Sequence, residues 1–193
     1  MAKKVLAIID VQEEFVSGAL GNAECEAAVK NIVAAAESGE YSKVIFTRDT
    51  HGADYLNTQE GKRLPVVHGQ EGSEGYELNS SIWKAVQEHY ATEDIIIVKK
   101  PTFGSLDFGK ELKKIWDEAA EAEKETQDLG EYLMEVDFTG FCTGICVLSN
   151  VVIAKTFVPE ARVCVIEKAC ACVTPETHKT AIAAMGPIQV DIK

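Results

Sequence analysis

The stretch KVLAII, residues 4–9, decides the fold class, because it is apolar and largely β-branched and does not alternate with polar residues. Five more runs of strand length recur along the chain, at residues 43–47, 94–98, 135–140, 162–167 and 187–192. Unalternating apolar strands are typical of a parallel sheet that is buried on both faces by helices.

Stretches with helical character lie between these runs, at residues 25–38, 79–90, 107–123, 144–156 and 176–185. The last of them is preceded by Thr174 and Pro175, a pair that is typical of a helix start. Alternation of strand and helix predicts an α/β protein: one domain over residues 1–193, with a three-layer α/β/α, Rossmann-like fold and a mostly parallel six-stranded sheet.

Two segments fit neither pattern. Residues 50–78 are rich in glycine and polar residues, and a loop of that length in a compact domain is usually functional or disordered. Residues 117–137 are dense in Glu and Asp, which predicts a helix end followed by an exposed acidic loop. The sequence assigns no role to this acidic stretch.

The composition of the chain indicates which classes of molecule it can bind. The chain has 193 residues and a net charge of −12, so nucleic acid and anionic membranes would repel it, and a small molecule is the expected ligand. The first apolar run ends at Asp10, too early for a signal sequence, and no segment approaches the roughly 18 apolar residues of a membrane span. We expect a cytoplasmic protein whose six cysteines are reduced thiols.

Residues with useful chemistry follow the predicted strands. Ligands bind at the carboxyl ends of the strands in an open parallel sheet, and these ends are followed by Asp10, Asp49, the pair Lys99 and Lys100, and the segment GFCTGICV, residues 140–147. A carboxylate, a lysine and a cysteine at three strand ends together indicate a functional site. Any one of them alone could be a helix cap or a surface residue.

The two thiols of this segment, Cys142 and Cys146, allow several interpretations: a redox pair, half of a metal site, one nucleophile with an incidental neighbour, or two small buried hydrophobes. If a helix begins near residue 143 or 144, Cys146 lies in its first turn. Unpaired backbone amides there favour a thiolate and are suited to holding an oxyanion.

Five segments together resemble the isochorismatase-like cysteine hydrolases, the superfamily of nicotinamidases and related amidases. They are VLAIIDVQEEF (5–15), FTRDTH (46–51), LPVVHGQEGSEG (64–75), VKKPTFGS (98–105) and GFCTGICVLSN (140–150), in the order that the superfamily has them. The similarity continues through ACACVTPETHKTAI (169–182). The resemblance therefore covers most of the chain.

The resemblance implies a mechanism for cleaving an amide. Cys146 would be the nucleophile, Asp10 the general base and later acid, and Lys100 the cation that polarises the site. The backbone amides of Cys142 and Cys146 would form the oxyanion hole, and the peptide bond between Phe141 and Cys142 would be cis. Lys100 is preferred to Lys99 because the segment that follows it has the spacing of the superfamily.

The resemblance also implies a metal site and a ring-binding pocket. Asp49 and His51 project to the same side of an extended strand end, and with His68 they would bind zinc, iron or manganese, without any organic cofactor. Phe15 and Phe103 would enclose a flat ring. Members of the superfamily commonly form dimers or tetramers, so a homo-oligomer is expected.

Some positions depart from the pattern of the superfamily. Residues 64–69 lack the Trp-Pro pair and the cysteine that often flank the histidine, Gly144 replaces a frequent Asp, and residues 55–57 offer no further histidine ligand. The sequence predicts a cysteine amidohydrolase, nicotinamidase-like, that releases ammonia from a small carboxamide. The alternatives are a metal-independent amidase for another carbamoyl or ureido substrate, and a non-catalytic binding or scaffold protein that retains the fold.

Overall fold

A computed structural model describes residues 3–126 and 132–193. Its six strands are β1 (Lys3–Ile9), β2 (Lys43–Asp49), β3 (Ile95–Lys100), β4 (Met134–Phe141), β5 (Arg162–Ala171) and β6 (Asp191–Ile192). They form one sheet in the order β3-β2-β1-β4-β5-β6, and every pair is parallel. The predicted α/β fold is confirmed, and the sheet is wholly parallel where it was predicted to be mostly so.

Seven α-helices accompany the sheet in the described residues. They are α1 (Glu13–Val16), α2 (Ala23–Glu37), α3 (Gln59–Arg63), α4 (Ser80–His89), α5 (Leu106–Thr126), α6 (Leu148–Phe157) and α7 (Pro175–Met185). None of the helices in this part of the chain combines the length and the apolar character needed to cross a membrane.

The sheet is covered on both faces, which explains its apolar strands. Alternate residues of β1 point to opposite sides: Val5 and Ala7 pack in a core cluster with α5 and α6, whereas Leu6 and Ile8 pack in a second cluster with α2 and α4. Because side chains alternate along a strand and both faces are buried, β1 has to be apolar at every position from Val5 to Ile9.

The last strand differs from the prediction. Only Asp191 and Ile192 pair with β5, whereas a strand was expected over residues 187–192. Gly186–Ile188 form a 3-10 turn, and Gln189 has a left-handed backbone with φ of 62°. Pro187 has no amide hydrogen to donate to a neighbouring strand, so the extended segment begins late.

Lys193 fixes the end of this edge strand to the sheet. Its ammonium lies 2.7 Å from Asp137 Oδ1 and 2.9 Å from Glu135 Oε1, both on β4. The hydroxyl of Tyr41 donates to Asp137 Oδ2 at 2.9 Å, and Arg162 donates to Glu135 at 3.0 Å. These donors compensate two carboxylates that are otherwise buried in the apolar centre of the fold.

Helix boundaries agree with the sequence patterns to within a few residues, with two informative differences. Helix α2 begins at Ala23, because the side chain of Asn22 caps it by accepting from the amide of Cys25. The helix predicted at 144–156 opens with a π-helical turn, Thr143–Val147, before α6. The loop predicted within residues 117–137 falls largely on residues 127–131, which lie outside the described residues.

Candidate active site

The order of the strands brings the predicted residues to one edge of the sheet. Asp10 follows β1, Asp49 ends β2, Lys100 ends β3, and Cys146 lies in the turn after β4. Strand β1 lies between β2 and β4. Strands β2 and β3 are added on one side of β1, and strands β4 to β6 are added on the other side. Such a reversal in the direction of strand addition opens a crevice at the carboxyl ends of the strands, the usual ligand site of this architecture.

Asp10 is held in an unusual backbone conformation at the end of β1. Its φ is 47°, in the left-handed region that Asp tolerates better than most residues. Thr47 on β2 secures it: the hydroxyl donates to Asp10 Oδ1 at 2.7 Å and accepts from the Asp10 amide at 3.2 Å. The carboxylate is thereby aimed into the crevice while the chain turns away from the strand.

Close approach of β4 to β1 also shapes this corner. Gly140 has φ of 110°, and a Cβ added to it would lie 2.0 Å from the carbonyl oxygen of Ile9. Only glycine fits such a conformation at such a distance. Gly140 therefore lets the turn that carries Cys146 approach Asp10.

Lys100 connects the charged groups of the site. Its Nζ lies 2.6 Å from Asp10 Oδ2, 3.2 Å from Asp49 Oδ1 and 3.5 Å from Cys146 Sγ. The Lys100 side chain is 0% exposed. A fully buried ammonium is stable only beside opposite charges, so its position depends on both carboxylates.

Burial and the neighbouring charges determine the pKa values of the titratable groups in this cluster. Burial raises the pKa of Cys146 well above its usual value, and the adjacent Asp10 carboxylate raises it further. Burial likewise raises the pKa of Asp10, against the opposing effect of Lys100. Burial alone would lower the pKa of Lys100, but the negative charges of its neighbours outweigh burial and raise it. These directions favour an ammonium at Lys100 and a protonated thiol at Cys146, with the Asp10 carboxyl group next to both.

The turn after β4 presents Cys146 to this cluster. The amides of Ile145 and Val147 both donate to the carbonyl of Cys142, at 3.0 and 3.1 Å, and fold residues 143–147 into a π-helical turn. Such turns are frequent at functional sites. The peptide bond between Phe141 and Cys142 is cis, as the resemblance implies.

Asn150 ties this turn to the segment after β3, a role that the sequence analysis missed. The Asn150 side chain is fully buried; its Nδ2 donates to the carbonyls of Cys146 at 2.8 Å and Phe103 at 3.0 Å. Its Oδ1 accepts from the amide of Ser105 at 3.0 Å. The residue fixes the nucleophile turn relative to the loop that follows Lys100.

Asp49, His51 and His68 come together as predicted for a metal site. Asp49 Oδ2 lies 3.0 Å from His51 Nε2 and 3.4 Å from His68 Nε2, and one ligand atom from each residue lies within 4.8 Å of the others. His51 Nε2 is buried, and because its contact with Asp49 lacks the geometry of a hydrogen bond, it has no hydrogen-bond partner in the described residues. An orphaned imidazole nitrogen beside a second imidazole and a carboxylate fits a divalent transition metal.

Glu60 on α3 faces the same centre, although the sequence analysis did not identify it. Its Oε1 lies 3.7 Å from Nε2 of His51 and 3.7 Å from Nε2 of His68. Burial raises the pKa of Glu60. Glu60 lies in the 50–78 segment, which has no helix or strand pattern in the sequence, so only the folding of that segment shows that it joins the two histidines.

Gln12 supports the residues of the candidate metal site through hydrogen bonds. Its Oε1 accepts from the Asp49 amide at 2.6 Å, and its Nε2 donates to the Asp49 carbonyl at 3.0 Å and to Glu14 Oε1 at 3.1 Å. Glu14 in turn accepts from the amide of Gly69 at 2.9 Å, next to His68. These bonds link the strand of one metal-site residue to the loop of another.

The two predicted ring-binding residues lie apart from each other. Phe15 is half-buried and packs edge-on against His68, with ring centroids 5.7 Å apart. Phe103 is 46% exposed, and no aromatic contact joins it to Phe15 within the described part of the chain. Phe15 thus lies beside the histidines, and a pair of rings that encloses a flat ligand stays a prediction.

The chain matches the isochorismatase domain family over residues 4–192. It belongs to that family. This hydrolase shares its fold with solved structures over nearly its whole length, whereas a comparison with curated proteins finds no significant match.

Three of these solved structures are informative. Nicotinamidase PncA from Bacillus subtilis is 24% identical, with 98% of each chain covered and a TM-score of 0.76. Pyrazinamidase of Pyrococcus horikoshii, in complex with zinc, is 18% identical over 99% of this chain and 98% of that one, with a TM-score of 0.72. N-carbamoylsarcosine amidase from Thermoplasma acidophilum is 18% identical over 99% and 95%, with a TM-score of 0.64. Family membership together with these amidases supports a hydrolase that acts on C–N bonds.

Proposed function

We propose that this isochorismatase-family hydrolase is a cysteine amidohydrolase that cleaves a small carboxamide to an acid and ammonia, with nicotinamide as the first candidate substrate. The observation that carries the proposal is the contact set of Lys100. One buried ammonium touches Asp10, Cys146 and Asp49, and so joins a nucleophile, a proton acceptor and a metal-site carboxylate in a single charged network.

The proposed reaction begins with a proton transfer from the Cys146 thiol to Asp10, assisted by the nearby Lys100 ammonium. The Cys146 sulfur attacks the amide carbonyl carbon, and the carbonyl oxygen becomes an anion. The amides of Cys142 and Cys146 are proposed to hold it, since the turn uses those of Ile145 and Val147 for its own bonds.

Collapse of this tetrahedral species breaks the C–N bond. Asp10 gives its proton to the departing nitrogen, ammonia leaves, and the acyl group stays on Cys146 as a thioester. Water then attacks the thioester carbonyl while Asp10 accepts its proton. Breaking the C–S bond releases the acid, and Asp10 returns the proton to the Cys146 thiolate.

A metal is proposed for the Asp49, His51 and His68 set, with Glu60 as a further oxygen donor. Zinc, iron or manganese held there would supply a Lewis acid for a ring nitrogen or a water molecule. Asp49 would serve both functions, because its Oδ1 faces Lys100 and its Oδ2 faces the two histidines. Phe15 and Phe103 are proposed to border a flat substrate ring.

A second candidate is an amidase for a carbamoyl or ureido compound that does not need the metal. The likeness of its fold to that of N-carbamoylsarcosine amidase supports this candidate, as do residues 64–69, which lack the Trp-Pro pair that is frequent in the superfamily's nicotinamidases. We also propose that residues 1–193 act as one domain in the cytoplasm and form homo-oligomers. The free state of all six cysteines is consistent with a reducing compartment.

The deciding experiment measures ammonia release from nicotinamide and, in parallel, from N-carbamoylsarcosine by the purified protein. Each assay is run before chelation, after chelation and after zinc, iron or manganese is restored. Release from nicotinamide that requires metal supports the first candidate. Release from N-carbamoylsarcosine that survives chelation supports the second, and no release from a panel of small amides would contradict the amidohydrolase proposal.

A further inference from the structure

A second pair of thiols lies behind the nucleophile turn, outside the groups used in the proposed reaction. Phe141, the last residue of β4, is paired in register with Ala171, the last residue of β5, so Cys142 and Cys172 are the first residues beyond two adjoining strand ends. Neighbouring strands run about 4.8 Å apart, which falls within the Cα separation of roughly 4.4–6.8 Å that a disulfide bridges.

The two sulfurs already interact as donor and acceptor. The Cys142 thiol is the strongest influence on the Cys172 sulfur, and the Thr177 side chain and the amides of Gly144 and Val173 also lie close enough to stabilise a thiolate there. These donors outweigh burial and lower the pKa of Cys172 to about 5. The same contact and burial raise the pKa of Cys142. Cys172 thus has the character of an attacking thiolate, and Cys142 that of a resolving thiol.

The pair lies just below the surface of the protein, with Cys142 half-buried and Cys172 3% exposed. Cys172 borders a surface groove between α2, the end of β5 and the start of α7, together with Asn31, Lys168 and His178. Position 144 has no side chain, and a Cβ added there would lie 3.6 Å from Cys172 Sγ. Gly144 therefore leaves room for the thiolate directly beneath the turn.

The pair is coupled to the nucleophile through the backbone of Cys142. The carbonyl of Cys142 accepts both hydrogen bonds that fold the π-helical turn, from Ile145 and Val147, and Cys146 lies between these two residues. His178 also reaches the turn from α7, with Nδ1 2.8 Å from the hydroxyl of Thr143. Drawing the Cys142 side chain toward β5 would therefore shift the turn that presents Cys146.

We propose that Cys142 and Cys172 are a reversible oxidation site that responds to hydroperoxides and controls the position of Cys146. The Cys172 thiolate attacks one peroxide oxygen, the O–O bond breaks, and a sulfenic acid and water result after protonation. The Cys142 sulfur then attacks the sulfenic sulfur, a second water leaves, and the disulfide forms. Overall, two thiols lose two electrons and two protons, and one hydrogen peroxide is reduced to two waters.

The first test maps the bond in the Cys146→Ala variant, in which the nucleophile cannot react. The full-length variant is treated with hydrogen peroxide, its remaining thiols are alkylated, and peptides are analysed without reduction. We expect a Cys142–Cys172 crosslink, two hydrogens lighter than the reduced pair, that disappears with dithiothreitol. Cys25 is the nearby competitor, since Cys172 also perturbs its titration. The crosslink should persist when Cys25→Ser is added. A Cys25–Cys172 bond, or oxidation without any crosslink, would overturn the proposal.

The second test measures the coupling without turnover. Iodoacetamide labelling of Cys146 is timed before and after peroxide treatment, in the otherwise unchanged protein and in Cys172→Ser, which leaves every proposed catalytic group in place. We expect the labelling rate to fall several-fold after oxidation only when Cys172 is present, and to recover with dithiothreitol. Equal changes in both proteins would refute the coupling. The inference uses the proposed nucleophile, but neither test needs a substrate, so failure of the amidase proposal would be seen separately.

Discussion

The Lys100 ammonium lies 2.6 Å from Asp10 Oδ2, and neither side chain is more than 1% exposed. The Lys100→Met variant removes the cation and leaves two buried carboxylates without it. We expect unfolding free energy to fall by about 3–5 kcal/mol, the usual result of breaking a buried ion pair from one side. Urea titration measures the loss.

Lys99→Met is the matched control, because the Lys99 side chain is 54% exposed and pairs only with a surface carboxylate. It should leave stability and activity close to those of the unchanged protein. Adding Asp10→Asn to Lys100→Met should restore part of the lost stability and none of the activity. Equal destabilisation by the two lysine variants would contradict the buried-pair interpretation.

Cys146→Ala should abolish amide hydrolysis while the fold persists. Loss of the attacking sulfur is expected to lower kcat by about 10⁴-fold or more, as for other nucleophiles that act within a catalytic unit. Ammonia release gives the rate, and circular dichroism with bound-metal analysis checks the fold. Cys164→Ser, on β5 and away from the crevice, should keep its turnover. Retention of most activity in Cys146→Ala would refute the mechanism.

Glu60→Gln should weaken metal binding. The substitution keeps the shape of the side chain but removes the negative charge 3.7 Å from both imidazoles. A loss of about 10–100-fold in affinity for zinc is expected, the range seen when a supporting carboxylate is removed from a metal site. Competition with a chromogenic chelator measures it. Glu74→Gln, exposed and in the same long segment, is the control, and equal affinities in both variants would exclude Glu60 from the site.

The Asn150→Asp variant should impair catalysis by displacing the turn that carries Cys146. An aspartate can still accept from the Ser105 amide, but its second oxygen would face the carbonyls of Cys146 and Phe103 and repel them. We expect kcat to fall and stability to drop by about 1–3 kcal/mol, because two buried carbonyls lose their donor. Asn31→Asp, which loses a single donation to the Lys168 carbonyl near the surface, is the matched control. An unchanged kcat at Asn150 would remove the positioning role.

Lys193→Met should destabilise the fold in a manner that depends on pH. Burial raises the pKa of Glu135, but the hydrogen bond and charge of Lys193, together with the charges of Arg162 and Lys4, outweigh burial and hold that pKa below its usual 4.5. The stabilisation is therefore present above pH 4.5 and is lost as the pH falls through the folded-state value. We expect a deficit of about 1–3 kcal/mol at pH 7 that shrinks toward pH 3. A deficit that is independent of pH would contradict the ionic origin.

Much of the fold could be predicted because burial on both faces leaves a direct mark on the sequence. Residues 5–9 are all apolar and buried, and this pattern alone indicates a central parallel strand. The last strand could not be bounded in the same way. Its apolar residues continue through a turn whose shape depends on Pro187 and on the left-handed Gln189, not on hydrophobic pattern.

The residues of the candidate site likewise could be predicted only in part from the sequence. Asp10, Lys100 and Cys146 could be grouped from the sequence, because parallel strands bring their carboxyl ends to one edge. Glu60 and Asn150 could not. Glu60 reaches the histidines only after the 50–78 segment folds back, and Asn150 has the sequence context of an ordinary helix residue. Both residues contribute through contacts with residues distant in the sequence, and such contacts leave no local sequence pattern.

The central place of β1 has a consequence for synthesis of the chain. β1 leaves the ribosome before the other described strands, yet one of its edges pairs with β4, which begins only at Met134. Until then a newly made chain presents an uncapped row of backbone donors and acceptors along Val5 to Ile9, with apolar side chains on both faces. Such an edge recruits other strands, so stalled or truncated nascent chains that end before β4 should be the aggregating species and the ones that chaperones must hold.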